Sequence, residues 1–81
     1  MIHIRFFANL RESLGYGDLN YEYAGEQSVS QIKQHLVERG DKWQYLQQQE
    51  VLIAVNQTIC DIETKINDGD EIAFFPPVTG G

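Results

Sequence analysis

The sequence holds one cysteine, so no disulfide within the chain can staple its fold. A reducing compartment is the natural setting, and a cytoplasmic location is expected. Met1-Ile2-His3-Ile4-Arg5 shows neither the charged start nor the apolar stretch of a signal peptide. No apolar run is long enough to span a bilayer, so no membrane role is expected. Basic residues are scarce: 6 lysines and arginines stand against 12 carboxylates, a formal net charge of −6. A phosphate backbone repels such a chain, so nucleic acid is not an expected partner. The sign suits a partner with a basic face and fast, salt-sensitive docking. His3 and His35 are isolated, with no second histidine or cysteine at ligand spacing, so no metal site is expected. Calcium loops, Gly-x-Gly-x-x-Gly and phosphate loops are missing. No Ser/His/Asp or Cys/His set is in view. The chain is therefore expected to bind no cofactor and to have no active site of its own.

What is present is a patterned small domain. Its 81 residues hold one core, and a hydrophobic fraction of 42% is too high for disorder. Ile2 to Phe7 alternates, with Ile2, Ile4 and Phe6 on one face and His3, Arg5 and Phe7 on the other. Asn9 to Leu14 reads as a short helix with Asn9 as cap and Gly15 as its C′ glycine. Leu19 to Tyr23 alternates again, as a strand near an edge. Ser28 and Gln31 have capping-box spacing, and Val29, Ile32, Leu36 and Val37 form one apolar stripe of a helix that Gly40 ends. Trp43 and Leu46 predict a single covering turn. Val51 to Val55 and Thr58 to Cys60 read as strands around a two-residue turn, Asn56-Gln57, that lacks the usual glycine. Ile62 and Ile66 are expected to pack under a loop. Asp68-Gly69-Asp70 is a turn and Glu71 to Phe75 the last strand.

This order predicts an α+β fold, a mixed sheet of about four or five strands crossed by one main helix. Its pattern suggests the β-grasp arrangement, with the first and last strands parallel neighbours at the sheet centre. Residues 1–75 make the domain and 76–81 a tail. Period two then places Phe7 and Phe75 together on the face away from the helix, with Ile59 joining them as a partner interface. Cys60, between Ile59 and Ile62, is expected to be a buried, inert thiol. Asp61, Glu63, Asp68, Asp70 and Glu71 cluster in the last third and are candidates to aid docking.

The end of the sequence is its most informative stretch. Pro76 and Pro77 cannot continue a central ladder and favour a stiff, extended exit. Val78, Thr79, Gly80 and Gly81 follow. Ordering two glycines costs backbone entropy, so stability does not explain them. Access does: Gly-Gly is the thinnest peptide that enters a narrow channel, and six extended residues reach up to ~20 Å. A carboxylate is a poor electrophile, so Gly81 needs activation by another protein, for which adenylation by ATP is the natural chemistry.

Phe6-Phe7-Ala8, Leu10-Arg11-Glu12, Gly15, Ala54-Val55-Asn56-Gln57 and the whole run from Asp68 to Gly81 resemble the sulfur-carrying small subunits of molybdopterin synthase, a ubiquitin-like family. The resemblance spans the chain, although 16–50 is too variable to test it. It implies a β-grasp fold and a thiocarboxylate on Gly81. It further implies an adenylating partner of the ubiquitin-activating type that uses ATP. It implies docking on a large catalytic subunit in a heterotetramer, where Pro76, Pro77, Val78, Thr79 and Gly80 thread the tail. There the sulfur passes to cyclic pyranopterin monophosphate, and two transfers build the dithiolene of molybdopterin. Other readings of the same tail are a thiamine-type sulfur carrier, a protein modifier joined to lysines, and a ubiquitin-like adaptor with an inert tail.

Overall fold

Alternation carries directly into the first strand. In β1 (Ile2–Phe6) the side chains of Ile2, Ile4 and Phe6 are buried, while His3 and Arg5 are not. The computed structural model describes residues 1–25, 27–48 and 51–76. A short helix α1 (Ala8–Leu14) follows and ends at Gly15, whose φ of 77° is left-handed and whose N–H donates to the Arg11 carbonyl. Asn9 is not its cap. Phe7 holds that position in extended conformation without a side-chain cap bond. The reason is a tertiary bond: the Phe7 N–H donates to the Phe74 carbonyl at 3.2 Å, which keeps residue 7 in strand geometry until the helix starts.

The edge strand β2 (Asp18–Tyr21) runs antiparallel to β1. A two-residue strand β3 (Gln27–Ser28) leads into the main helix α2 (Val29–Val37). Its capping box is complete: Ser28 Oγ accepts from the Gln31 N–H, and Gln31 Oε1 accepts from the Ser28 N–H. All four stripe residues, Val29, Ile32, Leu36 and Val37, are buried. A 3-10 turn (Asp41–Gln44) and α3 (Tyr45–Gln48) then drop Trp43 and Leu46 into the same core.

Strands β4 (Leu52–Val55) and β5 (Thr58–Cys60) form a hairpin, β6 (Lys65–Ile66) pairs with β3, and β7 (Glu71–Phe75) closes the fold. The main sheet is five-stranded, in the order β2-β1-β7-β4-β5. β1 and β7 are parallel and adjacent, with Ile4 opposite Ile72 and Phe6 opposite Phe74. This is the β-grasp arrangement: α2 covers one face of a mixed sheet, and the ends of the domain meet at its centre. Ile66 is buried as expected, but Ile62 is 39% exposed. The Ile62 carbonyl is held by the Ser30 N–H at 2.8 Å, and its side chain borders a surface groove instead of the core.

Candidate functional site

The face of the sheet away from α2 is built by register. Phe6 pairs with Phe74 and both point into the core, so the next pair, Phe7 and Phe75, points outward. Their rings stack with centroids 4.7 Å apart and planes within 10°. Each is half-buried, because each covers one face of the other. The Arg5 guanidinium lies 5.1 Å from the Phe7 ring centroid and marks where the apolar surface stops on that side.

The surface continues across the sheet. Leu52 is the register partner of Phe75, Ala54 of Ala73, and Ile59 of Ala54. Leu52 is 40% exposed and Ile59 66%. Ala54 and Ala73 lie between the larger side chains and are buried there, a floor under a shallow apolar surface. Ile59 thus joins Phe7 and Phe75 on one face. Leu52 is an addition that the sequence reading missed. Counting back from the inward Ile53 would have placed Leu52 outward, beside Phe75.

Charge follows the strand direction. At the level of His3 and Glu71 the same face turns polar: Glu71 Oε1 is 3.8 Å from Arg5 Nη1 and 3.7 Å from His3 Nδ1, and His3 Nε2 is 3.1 Å from Asp18 Oδ2. The apolar part therefore sits at the end where β7 delivers Pro76. Pro76 is half-buried. Pro77, Val78, Thr79, Gly80 and Gly81 lie outside the described residues.

Cys60 is half-buried, not buried, because it faces inward on an edge strand and lines an open groove of about 340 Å³ with Lys33, Leu52, Ile59, Asp61 and Ile62 among its neighbours. His35 accepts or donates a 2.6 Å hydrogen bond with the Tyr21 hydroxyl, which accounts for its place beside the apolar stripe. Among the described residues, no three His, Cys, Asp or Glu side chains converge as metal ligands. No described helix is long and apolar enough to cross a membrane. Of the acids, Asp68 is paired with the Met1 ammonium, and Asp70 accepts from the Asn67 N–H and the Asn56 side chain. These two brace the turn at the far end of the sheet from Pro76.

Comparison with known proteins bears on this arrangement. The model of the ThiS family matches residues 4–81. Two curated relatives are each 43% identical and cover the whole of both chains: the molybdopterin synthase sulfur carrier subunits of Haemophilus influenzae and Escherichia coli. Among solved structures, a putative molybdopterin converting factor subunit 1 from Pyrococcus furiosus is 21% identical with a TM-score of 0.80, over 95% of this chain and 97% of that one. A complex of subunits 1 and 2 of the molybdopterin-converting factor from Helicobacter pylori contains a chain that is 22% identical, TM-score 0.70, over 99% and 97%. At those identities the two structures speak for the fold.

Proposed function

Because the chain belongs to the ThiS family, we propose that it is the sulfur carrier subunit of a molybdopterin synthase. The observation that carries this reading is full-length identity of 43% to two carriers of that name. The apolar face at the end where β7 delivers the tail supports it. In this reading an adenylating enzyme of the ubiquitin-activating type joins AMP from ATP to the Gly81 carboxylate. Pyrophosphate leaves in that step. The terminal sulfur of a persulfide then displaces AMP to give an acyl disulfide. A thiol reductant cleaves its S–S bond to leave the thiocarboxylate, the exchanged oxygen departing with AMP. In this reading the ATP site and the catalytic side chains belong to the partners. The chain's own work is to dock through Phe7, Phe75, Leu52 and Ile59 and to extend Pro76 to Gly81 into the partner. The large subunit then holds cyclic pyranopterin monophosphate, and the Gly81 thiocarboxylate donates sulfur to it. The cytoplasm, where ATP and reduced thiols are abundant, is the fitting compartment.

Intact-mass measurement tests the reading. Chain treated with ATP, activating enzyme and sulfur donor should gain the difference between sulfur and oxygen on its C-terminal peptide, and Cys60→Ala should gain it equally. Deleting Gly81 should abolish molybdopterin formation with the fold intact. Adding one residue beyond Gly81 should abolish it too, because the carboxylate moves by up to ~3.6 Å. Sulfur found on Cys60, or activity in the deletion variant, would overturn the reading. Lysine-linked conjugates in place of molybdopterin would assign the chain to the modifiers.

A further inference from the structure

A second surface near the tail end of the sheet gathers three of the six lysines and arginines of the chain. Tyr16 stacks on Trp43 with ring centroids 5.6 Å apart, and Trp43 meets Phe6 edge-on at 5.9 Å, which anchors the pair to the core. Lys42 Nζ lies 4.7 Å from the Tyr16 centroid, and Arg39 Cζ lies 4.9 Å from that of Trp43. Arg11 packs its guanidinium against Gly17, so closely that a Cβ there would meet Arg11 Cζ at 3.1 Å. The Gly17 carbonyl accepts from the Phe6 N–H, which fixes this cluster beside the Phe7 end of β1. An open depression of about 520 Å³ runs along it, bounded by Arg11, Gly15, Tyr16 and Gly17, with Glu12 as its one acid.

The charge distribution is uneven. The chain has 6 cations and a net charge of −6, yet three of those cations gather here. Among the described residues, the ion pairs are Met1 with Asp68, His3 with Asp18 and Glu71, and Arg5 with Glu71; Arg11, Arg39 and Lys42 enter none of them. Lys42 and Arg39 are instead held over aromatic faces, and Arg11 against backbone. A cation so placed has fewer rotamers to lose and less water to shed when a carboxylate arrives. Glu12, Glu38 and Asp41 are the neighbouring acids, and none of them forms an ion pair with these cations among the described residues, so the three remain open to a carboxylate from outside.

We infer that this cation–aromatic surface receives a carboxylate-bearing loop of the large subunit, as a second contact beside the apolar face. The inference rests on the function proposed above. Both surfaces border the end of the sheet where Pro76 leaves, so a protein that takes up the tail meets both. The apolar face supplies contact area, and the cationic one fixes the rotation of the carrier about its tail.

The test is the Kd of the full-length carrier for the purified large subunit at low and high salt. Lys42→Glu and Lys65→Glu change the net charge equally, but Lys65 lies in β6, outside this surface. Lys42→Glu is expected to raise Kd about tenfold at low salt, with the difference shrinking as salt rises, while Lys65→Glu changes it less than about twofold. Lys42→Gln, which adds no like charge beside Asp41, should show the same direction should the glutamate variant fold poorly. Equal effects of Lys42→Glu and Lys65→Glu would overturn the surface and leave the function standing. Failure of the unaltered carrier to bind the large subunit would overturn both. Chemical-shift changes at Tyr16 and Lys42 on adding ATP to the free carrier, with none from the large subunit, would assign the surface to a phosphate ligand and overturn the inference.

Discussion

Asn56 and Gln57 turn the chain between β4 and β5 with φ of 50° and 70°, the two left-handed residues of a type I′ turn. Neither is glycine, and among the described residues only Asn56 has side-chain bonds that compensate. The Asn56 side chain closes a ring of bonds: Oδ1 accepts from the Glu71 N–H, Nδ2 donates to Asp70 Oδ1, and its own N–H donates to the Glu71 carbonyl. Gln57 has no side-chain bond of this kind among the described residues and retains the strain. Opposite outcomes follow for the two neighbours. Asn56→Ala should lower stability by about 1–2 kcal/mol through the lost bonds. Gln57→Gly should raise it by about 0.5 kcal/mol, because relief of the left-handed strain outweighs the added freedom of the unfolded chain. Urea denaturation of both variants measures this, and a stable Asn56→Ala would show that the ring of bonds is incidental. The sequence offered only the missing glycine here. The bonds to residues 70 and 71 depend on β7 being the neighbour of β4, which no local pattern encodes.

At the scale of elements, Ser28 and Phe75 show how far a pattern reaches. Ser28→Ala removes one side of the capping box and should cost about 1 kcal/mol, read as a lower denaturation midpoint. Phe75→Ala leaves Phe7 without its stacking partner. It should weaken binding to the large subunit by at least ~1 kcal/mol with the fold retained by circular dichroism. Unchanged affinity would take Phe75 out of the interface. The box and the α2 stripe were legible because both are read within one element, at spacings the backbone fixes. The central pairing of β1 and β7 was legible as a topology, and from it the meeting of Phe7 and Phe75. Less was visible where a neighbour in space overrides local preference. Phe74 holds Phe7 extended and displaces Asn9 as the expected cap. β3 and β6 are two residues each and have no period to detect. The stack of Tyr16 on Trp43 joins residues 16 and 43, which no spacing within one element relates.

Over the whole molecule, carboxylates outnumber lysines and arginines two to one. Asp68 and Asp70 are engaged at the Met1 end, so the expected help of acids in docking falls to those nearer the apolar face. Asp61 borders the groove shared by Leu52 and Ile59. Association with the large subunit should slow as salt rises, and Asp61→Asn should slow it at low salt by about twofold or more where Asp68→Asn does not. A rate independent of ionic strength would leave the net charge of −6 to solubility alone. The parallel pair β1–β7 has one more effect, on the order of events in folding. Residues 2–6 wait for residues 71–75 before the centre of the sheet exists, a separation close to the length of the chain. Such long-range closure comes late and slowly. During synthesis β2 can join β1 early, but the core cannot seal until β7 has emerged. A chain interrupted before residue 71 lacks the central strand and leaves the apolar face of β1 without its parallel neighbour.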